Sequence, residues 1–229
     1  MIHIGDKLGA KYDFIRYYVP FRLKYRIKFS DYRKHGEVWK YPKMYVKQGF
    51  VPKENEIVFD VGAQYGDYSL VWEKHYKATV FAFELLVQNY TEMMFDLKLN
   101  NSRINAYRMA IGNGEKLDFE TRGTMAVKSA DGSSWITSVK LDDFVYRNQV
   151  IPNFIKIDVE GFELDVLEGA KETLSKYHPR IIIETHSRSL RKSCDKFLTN
   201  LDYGLWYKGR TVKGSDWMDE VANLFYGSD

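Results

Sequence analysis

The segment Ile57-Val58-Phe59-Asp60-Val61-Gly62-Ala63-Gln64-Tyr65-Gly66-Asp67-Tyr68-Ser69 constrains this chain more than any other, because it joins an apolar strand to a helix through a D-x-G-x-x-x-G turn. Glycines at 62 and 66 permit backbone conformations closed to other residues and let the main chain approach a ligand. Asp60, at the end of the strand, is expected to aim a carboxylate into the same crevice. A dinucleotide turn reads G-x-G-x-x-G and seats a pyrophosphate on the helix N-terminus. Here the middle glycine is missing and an acid precedes the first. Asp60 repels a phosphate and attracts a cation, so the turn is read as the seat of an adenosyl cofactor with a cationic amino acid end, S-adenosylmethionine. An ordinary tight turn is the bland alternative.

The next apolar run, Ala78-Thr79-Val80-Phe81-Ala82-Phe83-Glu84, ends in an acid about 20 residues after Gly62, where a carboxylate accepts hydrogen bonds from ribose hydroxyls in doubly wound sheets. Glu84 is therefore the expected ribose ligand.

With 229 residues and 45% hydrophobic side chains the chain can bury one substantial core, and one catalytic domain is expected over residues 51–229. No apolar run reaches the ~18 residues of a membrane span, and Met1-Ile2-His3-Ile4-Gly5-Asp6-Lys7 lacks a signal peptide's apolar core, so the expectation is a cytoplasmic protein. Cys194 stands alone and is read as an inert packed or surface thiol. Residues 1–50 carry 12 Lys/Arg against 4 Asp/Glu, whereas residues 51–229 carry 22 against 27. Aromatic residues interleave with the N-terminal bases, strictly so in Phe21-Arg22-Leu23-Lys24-Tyr25-Arg26-Ile27-Lys28-Phe29. This segment is read as a cap or lid, with nucleic acid, acidic lipid or a phosphorylated glycan carrier as alternative partners, and a peripheral membrane contact would run through residues 11–47.

Past residue 50, apolar runs alternate with amphipathic stretches, the pattern of a mainly parallel, doubly wound α/β sheet. Strands are predicted near 57–61, 79–84, 103–109, 153–158, 180–185, 203–207 and 221–226, and helices near 67–76, 87–99, 162–176 and 189–200. Between Gly112 and Lys140, Gly/Ser/Asp-rich turns predict an antiparallel hairpin excursion at the sheet edge, followed by a short helix from Leu141. The last two strands pattern as a hairpin. Ligands of such sheets bind at the C-terminal ends of the parallel strands, near the reversal of strand order. The chemical candidates gather there: Asp60, Glu84, Asp158, Glu160, Glu184 and His186. Strand parity puts 156, 158 and 160 on one face if the strand persists that far. Lys156, inside a covered strand, is expected to pair with a neighbouring acid.

Taken together, Asp60–Gly66, Phe83-Glu84, Ala110-Ile111-Gly112, Val139-Lys140-Leu141-Asp142-Asp143-Phe144, Ile155-Lys156-Ile157-Asp158-Val159-Glu160-Gly161-Phe162-Glu163 and Ile183-Glu184-Thr185-His186 resemble FkbM-type S-adenosylmethionine-dependent methyltransferases. The resemblance runs from about residue 50 to the C-terminus, and K-I-D-V-E-G-x-E with D-V-G-A-x-x-G is its most specific part. It implies a class I, Rossmann-like sheet of seven strands with an antiparallel C-terminal strand, and O-methylation of a sugar or other natural-product hydroxyl. Leu85 stands where the family commonly has proline, and Gln64-Tyr65 replaces the commoner Asn-Ile. The cofactor-binding set is then Asp60, Gly62, Ala63, Gln64, Tyr65, Gly66, Ser69, Glu84, Ala110 and Asp158.

Methyl transfer is an in-line displacement that also needs a base for the acceptor proton. His186 is the expected base because neutral imidazole is plentiful at pH 7, with Asp158 and Glu160 orienting the acceptor and Lys156 completing the catalytic set. Hard oxygen donors at these positions suit a divalent cation, but no ligand spacing in the sequence demands one and no metal is assigned. The acceptor is expected to be a small molecule or glycan. A nucleic acid methyltransferase is disfavoured because Asp158-Val159-Glu160-Gly161 stands where amino-directed enzymes carry [DNS]-P-P-[YF], and an acidic turn repels phosphates. A module that binds the cofactor without turnover is the remaining alternative.

Overall fold

A computed structural model describes Tyr45, residues 50–213 and residues 220–228. The basic stretch read as a cap lies outside these residues, apart from Tyr45 and Phe50.

The chain alternates strand and helix: β1 (Ile57–Val61), α1 (Asp67–Lys74), β2 (Thr79–Glu84), α2 (Val87–Leu99) and β3 (Asn105–Arg108). An excursion follows, made of β4 (Ile111–Gly112), β5 (Lys116–Arg122), β6 (Met125–Lys128), β7 (Ser134–Thr137) and β8 (Val139–Lys140). The alternation then resumes with α3 (Leu141–Asn148), β9 (Phe154–Ile157), α4 (Glu163–Gly169), α5 (Lys171–Tyr177), β10 (Arg180–Thr185), α6 (Arg188–Thr199), β11 (Gly204–Lys213) and β12 (Glu220–Gly227). The main sheet has seven strands in the order β11-β12-β10-β9-β1-β2-β3, and β12 pairs antiparallel with both β10 and β11. The remaining pairs are parallel. The chain winds outward from β1 to β3, then crosses back to lay β9 on the other side of β1. That reversal opens the crevice where open α/β sheets bind ligands, between the C-terminal ends of β1 and β9.

Alternation along the strands builds two apolar layers. Phe59, Ile155, Ile181 and Ile183 face Leu141, Phe144, Val166, Leu167, Leu174 and Leu198 from α3 to α6. Val58, Val80, Phe154 and Ile182 face Trp72 of α1 together with Tyr45 and Phe50. A central strand buried on both sides needs apolar residues at every position, which accounts for the run Ile181-Ile182-Ile183, each with 0% exposure. Cys194 is packed in the first layer, where burial pushes its thiol pKa up, in keeping with an inert thiol.

Two expectations need correction. The excursion is more than a hairpin on the sheet edge: β5 pairs with β6 and β7 in a separate three-stranded antiparallel sheet, and β4 and β8 form a two-residue parallel pair. The single helix expected over 162–176 is broken at Ala170 (φ −110°, ψ 6°) into α4 and α5. Periodicity continued through the break because Val166, Leu167 and Leu174 all face one core. The break lies beside Gly169, where a Cβ would come 1.8 Å from the Gly112 carbonyl oxygen of β4. Only glycine permits that approach. Gly169→Ala is therefore expected to drive α4 off β4 and lower stability by about 1–3 kcal/mol, the usual range for overpacking, read as a lower urea midpoint.

Candidate active site

The glycine turn is held down from both sides. Gly62 has φ +78°, and both its N–H and that of Ala63 donate to the Phe83 carbonyl at 3.0 and 2.9 Å. A Cβ on Gly62 would sit 1.8 Å from the Asp158 carbonyl oxygen, so only glycine lets the ends of β1 and β9 close together. Gly66, also at φ +78°, opens α1. Ala63 and Tyr65 are buried, while Gln64 is exposed and reaches Thr124 Oγ1 at 3.2 Å.

Glu84 stands at the end of β2 beside this turn, in the expected place. Its Oε1 accepts from Leu86 N (2.8 Å) and Asn89 Nδ2 (3.2 Å), and its Oε2 accepts from Gln64 N (2.9 Å). A carboxylate offers about four acceptor positions, so one remains on Oε2, and the neighbouring Asn89 Oδ1 is buried without a hydrogen bond. Unsatisfied acceptors beside a glycine turn suit the vicinal hydroxyls of a ribose, so these residues fit S-adenosylmethionine. Burial pushes the Glu84 pKa up to about 7 against three hydrogen bonds that pull it down. Ala110 packs with Leu117, Phe119 and Phe162, against which Leu85 and Leu86 also pack, and Met109 N bonds the Glu84 carbonyl at 3.0 Å.

Asp60 does not stand bare in the crevice as its sequence position suggested. It is 1% exposed, with Oδ2 accepting from Ser69 Oγ at 2.5 Å and Oδ1 at 3.3 Å from Lys156 Nζ. Lys156 pairs with acids as expected: its ammonium lies between Asp60 and Asp158 Oδ2 (3.5 Å) and donates to the Gly62 carbonyl at 2.7 Å. Burial opposes its charge, but Asp60, Asp158 and Glu184 outweigh that and raise its pKa.

Across Lys156 lies a second group of acids. β9 stops at Ile157, so strand parity does not carry Glu160 to the site; a turn with φ +54° at Glu160 and +108° at Gly161 brings it there instead. His186 Nε2 then lies 3.3 Å from Glu160 Oε2, 3.6 Å from Asp158 Oδ1 and 3.9 Å from Glu184 Oε1. Its Nδ1 meets Glu163 Oε1 at 2.8 Å, and the same oxygen accepts from Val159 N and Gly161 N. Burial lowers the affinity of His186 for its proton, but Glu163, then Asp158 and Glu160, push its pKa up to about 10. The surrounding carboxylates thus favour the protonated ring, which works against the neutral imidazole expected at pH 7. Glu160 and Glu184 are instead pushed up to about 7, first by burial and then by neighbouring acids, while Lys156 and His186 overcome burial to lower the Asp158 pKa.

Three participants carried no role in the sequence reading. Tyr45 is buried, donates to Asp158 Oδ2 (2.9 Å) and Glu184 Oε2 (2.5 Å), and packs its ring over Lys156 and against Tyr68. It precedes the stretch that carries the resemblance, and one more tyrosine in an aromatic-rich segment gives no signal. Glu163 has 0% exposure and braces His186; its place in the acidic string was the only hint. Asn89 binds Glu84 from the first turn of α2.

A parallel sheet with one antiparallel strand, a glycine turn at the order reversal and a strand-end carboxylate beside it define a class I S-adenosylmethionine-dependent methyltransferase domain. The model of the methyltransferase FkbM domain matches residues 60–205, so the chain belongs to that family, and S-adenosylmethionine is its cofactor. The chain is 29% identical over 154 residues to the hexuronic acid methyltransferase AglP of Haloferax volcanii, covering 64% of this chain and 63% of that protein. It thus spans less than two thirds of that relative's length. Among solved structures, the fold is similar to methyltransferase FkbM from Methylobacillus flagellatus (TM-score 0.58, 21% identity, 80% of this chain and 47% of that one). It is also similar to Streptococcus pneumoniae Sp1610 in complex with S-adenosyl-L-methionine (TM-score 0.50, 13% identity, 77% and 67%). No helix among the described residues is long and apolar enough to cross a membrane.

The raised pKa of Glu84 has a sign that can be checked. Between its usual value of 4.5 and about 7 the folded state holds a proton that the unfolded chain has lost, so this group's contribution to stability falls as pH rises through that window. Glu84→Gln is expected to remove that part of the decline in a series of thermal melts. In calorimetry it should weaken S-adenosylmethionine binding about 10–100-fold, as expected for lost hydrogen bonds to a charged group worth ~1.5–3 kcal/mol.

Proposed function

We propose that the protein methylates a hydroxyl oxygen of a sugar or glycan, with S-adenosylmethionine as donor. The observation that carries this reading is the group of carboxylates at the ends of β9 and β10, on the far side of Lys156 from the cofactor turn. Carboxylates accept hydrogen bonds, so a polyhydroxylated acceptor suits them, whereas the dense phosphate charge of a nucleic acid backbone is repelled. A relative named for hexuronic acid methylation supports the same acceptor class.

In this reading Asp158 and Glu160 accept from the acceptor's hydroxyls and orient it, and Glu184 is the base. Glu184 reaches the site from the end of β10 and is already held by the Tyr45 hydroxyl. The acceptor oxygen attacks the methyl carbon as its proton passes to Glu184. The carbon–sulfur bond breaks with its electron pair returning to sulfur, leaving S-adenosylhomocysteine and a methyl ether. Lys156 positions the two halves of the site, bridging Asp60 and the Gly62 carbonyl on one side to Asp158 on the other. Collinearity of oxygen, carbon and sulfur and exclusion of water supply the rest of the acceleration.

The test is incubation with isotopically labelled S-adenosylmethionine and a panel of hexoses, uronic acids and their glycosides, followed by mass spectrometry. A labelled product stable to mild alkali is expected. A product that releases labelled methanol in alkali is an ester and overturns the hydroxyl reading, and labelled nucleic acid with unlabelled glycans overturns the acceptor class. Glu184→Gln should lower kcat about 10²–10⁴-fold, the usual worth of a positioned base, while S-adenosylmethionine affinity stays within a few-fold.

A further inference from the structure

We propose that Asp158, Glu160 and His186 form the protein side of a site for one divalent transition-metal cation. The three residues each offer one ligand atom, and those atoms lie within 4.8 Å of one another. The distances from His186 Nε2 are 3.3 Å to Glu160 Oε2 and 3.6 Å to Asp158 Oδ1. Donors bound at about 2.1–2.2 Å to one tetrahedral or octahedral ion sit about 3.0–3.6 Å apart, so this spacing suits a shared centre.

A cluster of acids around a histidine also arises as a plain ion-pair network, and three observations separate the two. First, an imidazolium serving as counterion would point its Nε2–H at one oxygen. Here Nε2 stands 3.3, 3.6 and 3.9 Å from three separate carboxylate oxygens, and Glu160 Oε2 is buried without a hydrogen bond. The nitrogen is shared among several oxygens, a spacing that a cation between them would satisfy. Second, Nδ1 is tied at 2.8 Å to Glu163, a carboxylate with 0% exposure that is fixed in turn by two backbone N–H groups. A carboxylate that accepts a hydrogen bond from one ring N–H fixes the tautomer and aims the other nitrogen's lone pair, as behind metal-bound histidines generally. Third, five acids (Asp60, Asp158, Glu160, Glu163 and Glu184) are gathered with Lys156 and His186 as the only bases paired to them among the described residues. A dication offsets that excess. Two carboxylates with one imidazole favour an ion of the manganese or zinc type over calcium. Resting on the O-methylation reading, such an ion would hold the acceptor oxygen beside the methyl donor, and Glu184 would remain the base. The cation site itself stands without that reading.

The experiment is titration of Mn²⁺ into the full-length, chelator-stripped protein without cofactor or acceptor, followed by calorimetry and electron paramagnetic resonance. One ion per chain is expected, with a nitrogen coupling from the imidazole in the pulsed spectrum. Glu160→Gln and His186→Ala should each weaken binding at least 10-fold, and His186→Ala should abolish the nitrogen coupling. Glu163→Gln should weaken binding about 10–100-fold, the usual effect of losing a partner behind a ligand. Circular dichroism checks the fold of each variant. If His186→Ala does not fold, the wild-type nitrogen coupling and the Glu160→Gln titration decide. Failure of the wild type to bind Mn²⁺ at millimolar concentration, or binding with no nitrogen coupling and no loss in Glu160→Gln, overturns the site. Failure of the methylation reading would show separately, as absence of labelled product with Mn²⁺ binding intact.

Discussion

A single buried ammonium holds the two halves of this site in register. Lys156 lies on β9 directly opposite Asp60 of β1 and Ile182 of β10, at the point where strand order reverses. From there it reaches Asp60, Asp158 and the carbonyl of Gly62. A charge this deeply buried is tolerated only when its partners are close and its hydrogen bonds are made. The carbonyl it holds belongs to the glycine whose left-handed backbone lets β1 and β9 approach, so the ion pair and the turn depend on each other. Ser69 extends the arrangement to α1 by donating to Asp60.

On either side of Lys156 the polar groups are paired differently. Toward β2, Glu84 and Asn89 are braced by backbone and side-chain hydrogen bonds yet keep acceptor capacity open. Toward β10, Asp158, Glu160, Glu184 and His186 converge under the Tyr45 hydroxyl. Gathering that many carboxyl groups in a buried space costs desolvation and mutual repulsion, and it pushes the pKa values of His186, Glu160 and Glu184 up. Such a cluster has an affinity for cations.

Much of the arrangement was legible beforehand because local signals coincide with it. The glycine turn declares itself through residues that tolerate positive φ, Glu84 through its distance along the chain, and the central strand through an unbroken apolar run. Other parts were not. Helical periodicity over 162–176 hid the break at Ala170, since the side chains on both sides of it serve one core, while the Gly112 carbonyl that packs against the neighbouring Gly169 is remote in sequence. Glu160 reaches the site for a reason other than the strand parity that suggested it. Tyr45 could not be placed at all, because its partners Asp158 and Glu184 lie more than a hundred residues away.

The sequence by itself determined the fold class, the glycine turn and the roster of acids at the strand ends, because these rest on backbone propensity, side-chain periodicity and short-range spacing. Only the tertiary structure decided what the acids do. It gave Asp60 to Lys156 and Ser69 in place of the open crevice, and it surrounded His186 with carboxylates from α4 and the ends of β9 and β10. Protonation and ligand geometry depend on distances between groups far apart in the chain, and a linear pattern does not contain those distances.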